Sequence, residues 1–587
     1  MVSATRTFAP HTLLIALLAV AGTWLWLEHA RAWDLGRSSP VLGYDAAQYA
    51  VAARELAEHG RLTTPFALPV ELARHPAPPW PLSLVQPGLL LVESGLFRLA
   101  GTSSPERMSW LVLVLPFLCY VGTGITLALA CARLIADHAP EAPALERFAA
   151  ASVIGLAFLL DPEAQHYATG GFTELPFTLG LAVAVALLAR GGRSQPAGFG
   201  VVLGVAGLFR GTILWLAPIL AAAYAASAPE RRVRAFARVL MGGGLVLAPW
   251  WLYKWRAFGN PAWDLSGLSL WDGVGGSTWF SLNHLPQLPS VPKGMEAVGA
   301  LVQKALHNLP TLLLLLSTGP RAVWFGSLAV AAVMATRATR ATRATGRGRE
   351  AAGLAAAAWA LLAMLAVSTF VASITVPLLR YLMPARVLAE AAGLVVLGGL
   401  VRRQPAGSAP PVVLGALSVA LALLALGWGV AQTLGGLGEA ARTARERGTP
   451  SASAIAAIAA EIDRRLPPGE PLMSNLGPSL AWATRRPVVH LALTPGDVDA
   501  CRRLVDFHHV VAVFRDPAHA WPGWTQAVRQ PEEAAHDPRW SIASVRTSAT
   551  DDGFRVVWFE LGTLPRRSRT ARRAALEAFT PDVRPPA

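Results

Sequence analysis

The sequence predicts an α-helical polytopic membrane protein with about eleven transmembrane helices, interfacial helices and a small C-terminal extracytoplasmic α/β domain. Hydrophobic residues make up 53% of the 587 residues and charged residues only 15%, whereas a soluble protein carries about 25% charge. Several apolar segments approach or exceed the length of about 18–20 residues that spans a bilayer. After about residue 434 these segments end and shorter amphipathic patterns follow.

Short arginine-rich loops set the predicted orientation, because such loops stay on the cytoplasmic side of a membrane. The loops carry Arg190 and Arg193; Arg231, Arg232, Arg234 and Arg238; Arg337, Arg340, Arg343, Arg347 and Arg349; and Arg402 and Arg403. They predict a multi-pass protein of the inner (cytoplasmic) membrane, with a cytoplasmic N-terminus and an extracytoplasmic C-terminal domain. The net charge of +14 therefore reflects topology, and we expect no nucleic-acid partner.

With this orientation, residues from about 28 to 108 form one external loop. Its apolar stretch of about 82–100 contains Gln86, Pro87, Glu93 and Arg98, which fit an interfacial helix better than a lipid-exposed span. Residues 254–317 are predicted to lie outside as well. The predicted spans cover about 11–27, 109–132, 148–161, 172–190, 197–209, 211–227, 236–253, 318–336, 352–372, 382–400 and 411–433.

The C-terminal part has the pattern of a small α/β domain. Residues 1–433 form the predicted transmembrane domain, residues 434–564 the α/β domain, and residues 565–587 a basic flexible tail. An amphipathic helix is predicted over Ser453–Leu466, where isoleucines recur at helical spacing. Short β-like runs follow at Val488–Leu493, His509–Phe514 and Val556–Leu561.

Asp45 is the first candidate functional residue. It follows the first apolar segment and opens an amphipathic run that begins Tyr44-Asp45-Ala-Ala-Gln-Tyr49. A carboxylate just outside a membrane helix is placed to deprotonate a hydroxyl acceptor beside a lipid-borne substrate. The alternative is a structural role as a helix N-cap, since Asp before Ala-Ala-Gln is a good helix start.

Further motifs follow on the same predicted side of the membrane, in the order Gln86-Pro87-Gly88, Thr173-Glu174-Leu-Pro176, Gly207-Leu-Phe-Arg210-Gly211, Pro249-Trp250-Trp251, Phe258-Gly259-Asn260-Pro261 and Arg380-Tyr381-Leu-Met-Pro384. In this order, and over roughly the first 435 residues, the chain resembles the lipid-phosphosugar-dependent GT-C glycosyltransferases. That group includes the protein O-mannosyltransferases and the lipid A aminoarabinose transferases. The chain departs from the family where Pro87-Gly88 stands in place of a Pro-Pro pair.

The resemblance implies a sugar carried on a polyprenyl phosphate, which is already a good leaving group. The enzyme then has to deprotonate the acceptor and stabilise the phosphate charge. Asp45 is the expected general base, and Glu174 is expected to share the proton, orient the acceptor or hold a metal. Arg210 and Arg380 are the expected phosphate ligands, and the other expected substrate-binding residues are Tyr49, Gln86 and Tyr381. The structural alternatives are a cap for Glu174 and a snorkelling side chain for Arg380.

The leading function is therefore an integral membrane glycosyltransferase that uses a polyprenyl-phosphate sugar donor within the membrane lipid. The acceptor is an extracytoplasmic glycan, lipid or protein. The sequence requires no cofactor and leaves a divalent metal open. The competing functions are a transporter or flippase for lipid-linked saccharides, which usually shows internal repeats and ionisable residues at the midplane, and a non-catalytic membrane scaffold.

Overall fold

A computed structural model of the chain describes residues 4–563, except for short gaps at residues 36–42, 102–103, 139, 191–194, 229–230, 287–291, 343–347, 403–410, 447–449, 517, 519 and 537–540. The predicted tail at residues 565–587 lies outside the described residues. The same is true of Arg193, Arg343, Arg347 and Arg403 in the predicted cytoplasmic loops.

The first half of the described chain is mostly helical. Its helices are α1 (Ala4–Ala32), α2 (Tyr44–His59), α3 (Pro69–Leu72), α4 (Pro87–Ala100), α5 (Pro105–Leu111), α6 (Val114–His138), α7 (Ala144–Leu159), α8 (Pro162–Thr169), α9 (Glu174–Ala189), α10 (Pro196–Gly207), α11 (Ile213–Ser227) and α12 (Arg232–Phe258). Three two-residue strands, β1 (Thr63–Thr64), β2 (Phe66–Ala67) and β3 (Trp80–Pro81), lie between α2 and α4.

The second half adds helices and the strands of a sheet. The helices are α13 (Trp279–His284), α14 (Gly294–Leu316), α15 (Arg321–Thr342), α16 (Gly348–Ile374), α17 (Leu379–Arg402), α18 (Pro411–Arg445), α19 (Ala452–Arg465), α20 (Gly477–Thr484), α21 (Val498–Arg502), α22 (Thr525–Arg529) and α23 (Pro531–Ala534). The strands are β4 (Leu472–Ser474), β5 (Val488–His490), β6 (His509–Phe514), β7 (Ile542–Ala549) and β8 (Arg555–Leu561).

The structure is that of a multi-pass membrane protein. In the described parts of the chain, seven helices are long and apolar enough to cross a bilayer: Pro10–Ala32, Pro105–Asp137, Arg232–Phe258, Gly294–Leu316, Arg321–Thr339, Ala352–Ile374 and Val419–Arg445. Six of these ranges coincide with predicted spans. Helices α7, α9, α10, α11 and α17 occupy the other five predicted positions. The total of about eleven spans stays a prediction.

Helix α14 is a long helix that was not predicted within residues 254–317. Lys304 and Asn308 interrupt the apolar run in the sequence, but the backbone is helical over 23 residues. The Asn308 side chain donates to the Ser373 carbonyl at the end of α16. Arg321 at the start of α15 donates to Glu390 of α17. Glu390 follows Arg380 by ten residues, about 15 Å along the helix, so the α14–α15 turn lies beside the middle of α17.

The stretch of about 82–100, predicted to lie in the interface, forms α4, which has only 14 residues. At 1.5 Å per residue such a helix is about 21 Å long, shorter than the hydrocarbon core of about 30 Å. The Arg98 side chain donates to the Leu56 carbonyl at 2.6 Å and to the Ala57 carbonyl at 3.2 Å. These bonds hold α4 against the C-terminal end of α2.

The C-terminal sheet contains a strand from the first external loop. Its order is β2-β5-β4-β6-β8-β7, with β2, β5, β4 and β6 parallel and β8 and β7 antiparallel to their neighbours. The three predicted β-runs form β5, β6 and β8, and the predicted amphipathic helix is α19. The place of β2 beside β5 was not predicted, because a two-residue strand carries no periodicity.

Helix α2 is also joined to the C-terminal part by a buried arginine. Arg54, which is 4% exposed, donates to the carbonyls of Trp482 at 2.6 Å and Ala481 at 2.9 Å. Its guanidinium also lies 4.8 Å from the centre of the Trp482 ring. A buried guanidinium needs such partners because an unpaired one is costly to desolvate. The contacts fix α2, which carries Asp45, between the membrane helices and the sheet.

Candidate active site

Asp45 does not cap its helix. Helix α2 begins at Tyr44, and the N-cap position is Gly43, which offers no side-chain hydrogen bond. The Asp45 carboxylate instead pairs with Arg380, with Oδ2 at 2.9 Å from Nη2. Its side chain is 32% exposed, so it is accessible from solvent. The N-cap interpretation of Asp45 is therefore wrong.

Arg380 joins Asp45 to Glu174. Its Nε lies 3.0 Å from Glu174 Oε1, while its Nη2 binds Asp45. Arg210 contacts the same Glu174 oxygen, at 2.5 Å from Nη1. Two carboxylates within reach of one guanidinium lie far closer than the separation of about 15 Å that would preclude a shared acceptor. The four predicted charged residues thus form one cluster, although they are far apart in the sequence.

The members of the cluster differ in accessibility. The Glu174 side chain is fully buried, and that of Arg210 is 11% exposed. Asp45 and Arg380 are about one-third exposed. Buried charges are retained only when they are paired. Both arginines pair with Glu174 Oε1, whereas its buried Oε2 has no hydrogen-bond partner among the described residues. Asp45 and Arg380 are therefore the solvent-accessible pair of the cluster.

Arg210 lies in the break between α10 and α11, as the short apolar segment predicts. Helix α10 packs closely on α12 through glycines, since a Cβ on Gly200 would collide with the Val239 carbonyl. The helix then ends at Gly207. The Gly88 amide donates to the Leu208 carbonyl at 2.7 Å, and a Cβ there would lie 2.8 Å from that oxygen. Glycine in place of the second proline lets the start of α4 contact this break.

Tyr381 and Tyr49 also lie at the cluster. The guanidiniums of Arg210 and Arg380 are 5.5 Å and 5.9 Å from the centre of the Tyr381 ring, within the range of a cation–π contact. Tyr49 is half-buried on α2. Burial raises the pKa of the Tyr49 hydroxyl above its ordinary value, and the negative charge of Asp45 raises it further. The hydroxyl is therefore a neutral hydrogen-bonding group at physiological pH.

Gln86 belongs to a second polar group beside the cluster. Its Nε2 donates to Asp264 at 2.8 Å, and its Oε1 accepts from the Trp250 indole at 2.9 Å. Lys254 pairs with the same Asp264 oxygen at 3.2 Å. A Cβ on Gly211, the residue after Arg210, would lie 3.5 Å from Gln86 Nε2. Lys254 and Asp264 were not predicted as site residues. They stand ten residues apart on either side of a Phe-Gly-Asn-Pro turn, a spacing that could have indicated that their side chains meet.

A further buried charge network was also missed. Arg386, 2% exposed, pairs with Asp161 at 2.9 Å, Glu390 at 3.1 Å and Glu163 at 3.2 Å. Glu390 in turn pairs with Arg321 at 2.9 Å. The network joins α8, α15 and α17. The i,i+4 spacing of Arg386 and Glu390 inside an apolar segment was the available signal.

Within the described residues no group of three or more His, Cys, Asp or Glu side chains is arranged to hold a metal ion. Asp45 and Glu174 are the acidic side chains of the cluster, and both contact guanidinium groups.

No protein-family model matches the chain, and no curated protein matches it in sequence. The fold is nevertheless similar to solved structures. The chain is 15% identical to ArnT from Cupriavidus metallidurans bound to undecaprenyl phosphate, with a TM-score of 0.50 over 93% of this chain and 97% of that one. The apo state of the same ArnT gives 17% identity and a TM-score of 0.51 over 93% and 98%.

A third structure is the archaeal oligosaccharyltransferase AglB from Archaeoglobus fulgidus, in complex with an inhibitory peptide and a dolichol-phosphate. It is 12% identical, with a TM-score of 0.52 over 94% of this chain and 74% of that one. ArnT and AglB are both GT-C glycosyltransferases. The resemblance predicted from the sequence is therefore confirmed at the level of structure, and this chain has the GT-C glycosyltransferase fold.

Proposed function

We propose that the protein is an integral membrane glycosyltransferase that moves a sugar from a polyprenyl-phosphate donor to an extracytoplasmic acceptor. The observation that carries the proposal is Arg380, which binds Asp45 and Glu174 together while Arg210 binds the same Glu174. A base and two fixed cations lie within one site of a GT-C fold. ArnT and AglB were solved with undecaprenyl phosphate and a dolichol-phosphate, which supports a lipid-phosphate donor.

The acceptor hydroxyl gives its proton to the Asp45 carboxylate, and its oxygen forms a bond to the anomeric carbon of the sugar. The bond between that carbon and the phosphate oxygen breaks, and its electron pair leaves with the polyprenyl phosphate. Arg210 and Arg380 stabilise the negative charge that develops on the phosphate.

The ion pair between Arg380 and Asp45 has a role in the proposed reaction, because it must open before Asp45 accepts a proton. An arginine holds phosphate oxygens well because its planar guanidinium donates two parallel hydrogen bonds. A bound lipid phosphate competes with Asp45 for Arg380, and the freed carboxylate is then able to accept a proton. Glu174 stays paired with Arg210 and keeps both arginines oriented.

The orientation predicted from the arginine loops completes the proposal: an inner-membrane protein with a cytoplasmic N-terminus and the C-terminal part outside. The division at residue 434 also stays part of the proposal. The clustering of four charged side chains that come from separate helices is the reason to prefer an enzyme over a non-catalytic scaffold.

The test is to incubate the purified protein in nanodiscs with a panel of polyprenyl-phosphate sugars and with glycan, lipid and protein fractions of the cell envelope. We expect acceptor-dependent release of free polyprenyl phosphate from at least one donor. A flippase would instead carry the intact donor across proteoliposomes without releasing polyprenyl phosphate. Absence of release with every donor and acceptor, from protein that is folded and binds donor, would overturn the proposal.

A further inference from the structure

The four charged side chains of the cluster sum to zero charge. Two carboxylates, Asp45 and Glu174, pair with two guanidiniums, Arg210 and Arg380. The second polar group is likewise neutral, because its lysine pairs with its aspartate. A sugar on a polyprenyl phosphate adds one negative charge, since a phosphodiester is a monoanion. A partly buried charge is stable only when it is compensated, so donor binding favours a further positive charge beside the cluster.

His166 is a histidine that lies against this cluster. It belongs to α8, and its half-buried ring packs at 5.6 Å from the centre of the Phe172 ring. The Arg380 guanidinium lies 5.6 Å from the centre of the same Phe172 ring. His166 and Arg380 are therefore no further apart than one aromatic ring and its two contacts allow. Partly buried charges at such a range interact, because salt screens them less than exposed ones.

The other neighbours of the His166 ring are also aromatic. Trp33, which follows α1, and Tyr167 each lie 5.3 Å from it between ring centres. In the described part of the chain, neither ring nitrogen of His166 makes a hydrogen bond with the protein. The nitrogens are therefore available to a proton, and the aromatic faces around the ring favour a cation there.

The ionisable groups that act on His166 from neighbouring described elements are His29 on α1, Glu174 on α9 and Arg380 on α17. His29 is 2% exposed, and its Nε2 accepts from the Trp33 indole at 2.8 Å, so a proton at that nitrogen would displace a hydrogen bond. Burial lowers the pKa of His166, the Glu174 carboxylate raises it and the Arg380 charge lowers it. The net effect is a pKa below the ordinary value, so the His166 ring is mainly neutral at pH 7.

We propose that His166 is a proton-dependent third cation of the donor-phosphate site, which takes up a proton from solvent when the lipid phosphate binds at Arg210 and Arg380. The inference rests on the proposed function and adds a residue to its donor site. The phosphate charge offsets the repulsion between Arg380 and a protonated His166, and it attracts the proton itself. By linkage, the donor must bind more tightly as the pH falls, by at most about tenfold per pH unit for one proton.

The same charge assists the transfer step. When the bond between the sugar and the phosphate oxygen breaks, the departing polyprenyl phosphate gains a second negative charge. A protonated His166 near Arg380 stabilises that charge through space, without contacting the reacting atoms. His166 is therefore a positioning charge and not a general base, which remains the role of Asp45.

The test measures donor affinity from about pH 5.5 to about pH 8 for wild type, His166→Phe and the matched control His59→Phe. Phenylalanine keeps an aromatic ring against Phe172 but cannot be protonated. His59 is exposed at the end of α2 and contacts Glu55, outside the cluster. The probe is a polyprenyl-phosphate hexose in nanodiscs of zwitterionic lipid, because its phosphodiester keeps one charge over this range. Calorimetry in two buffers of different ionisation enthalpy counts the protons taken up.

We expect wild type and His59→Phe to bind the donor about five- to tenfold more tightly at the acidic end of the range, with proton uptake on binding. His166→Phe should bind like wild type at about pH 8, lose the pH dependence and take up no proton. A merely structural defect would instead weaken binding at every pH. His166→Gln, which is uncharged and smaller, repeats the test with a second side chain.

The same pH dependence in both His166 variants as in wild type would assign the proton to another group, such as Asp45, and overturn the inference. A wild-type affinity that does not change with pH would overturn it as well. Release of polyprenyl phosphate is measured in parallel. Proton-linked binding that is lost in the variants, without release from any donor and acceptor, would refute the transfer function but keep His166 in a lipid-phosphate site. Absence of donor binding by wild type would refute both.

Discussion

At the scale of single residues, the site consists of two carboxylates and two guanidiniums whose opposite charges balance. Glu174 is buried and holds two arginines, whereas Asp45 shares only the accessible one. In the proposed function, this asymmetry gives the two carboxylates different roles. Asp45 is placed to exchange its partner for an acceptor proton, and Glu174 is placed to orient Arg210 and Arg380.

Asp45→Asn should therefore abolish transfer while the protein still folds and inserts. Asn keeps the shape of the side chain but cannot take a proton, and a general base contributes about 10²–10⁴-fold to a rate. The measurement is the rate of polyprenyl-phosphate release at saturating donor, with Glu55→Gln as the control on the same helix. Turnover of Asp45→Asn near that of wild type would leave Asp45 only the role of pairing with Arg380.

Arg210→Ala should weaken donor binding strongly, and Arg210→Lys should restore only part of the affinity. Lysine keeps the charge but loses the planar fork that meets two phosphate oxygens. Because Arg210 also satisfies the buried Glu174, thermal stability has to be measured beside donor affinity. Equal donor affinity for arginine, lysine and alanine would place the phosphate elsewhere, with Arg380 as the next candidate.

At the scale of elements, the sequence indicated the four charged residues because each lies at the end of a helix or in a break on the predicted outer side. The distribution of arginines between loops and the lengths of apolar segments can both be read from neighbouring residues. They are therefore sufficient to predict the side of the membrane and the helix ends at which these four residues lie. Helix α14 was missed because Lys304 and Asn308 interrupt its apolar run. These side chains donate to carbonyls that are distant in the sequence, those of Ser269 and Leu270 for Lys304 and that of Ser373 for Asn308. The polar group of Lys254 and Asp264 likewise depends on a partner, Gln86, that is remote in the sequence.

Gly88→Ala should disturb the site from a distance. The added Cβ would press on the Leu208 carbonyl, so the start of α4 and the Arg210 break must move apart. We expect a lower melting temperature and weaker donor binding. Gly95→Ala is the matched control in the same helix, because a Cβ there meets nothing within 4 Å, and alanine favours a helix by about 0.5–1 kcal/mol. Identical behaviour of the two variants would contradict this packing argument.

At the scale of the whole molecule, the membrane helices and the C-terminal sheet are joined through α2 and β2. Arg54 and the pairing of β2 with β5 make the connection. Neither follows from the sequence, since both are contacts between segments separated by most of the chain. The sequence did predict that a small α/β unit follows the helices, because its amphipathic helix and β-runs are local patterns.

Arg54→Ala should loosen this connection. The Trp482 carbonyl would lose its Arg54 donor, at a cost of about 1–3 kcal/mol for a buried group left unpaired. The Ala481 carbonyl would keep the Arg485 amide as a donor. We expect faster proteolytic release of the C-terminal part and reduced transfer. Arg61→Ala, at an exposed position just after α2, is the control and should behave like wild type. Equal protease resistance of the two variants would show that strand pairing alone holds the parts together.

The position of β2 also affects how the protein is made. Phe66 emerges early in synthesis, but its strand partner Val488 is among the last segments to be translated. During that interval β2 is an unpaired strand edge, which is prone to mispairing, and α2 lacks the partners of Arg54. Contacts so distant in sequence form slowly. A ribosome that stalled before β5 would therefore leave inserted membrane helices in which α2, the helix that carries Asp45, lacks its contacts with the C-terminal part. We expect activity only after the last part of the chain has been translated.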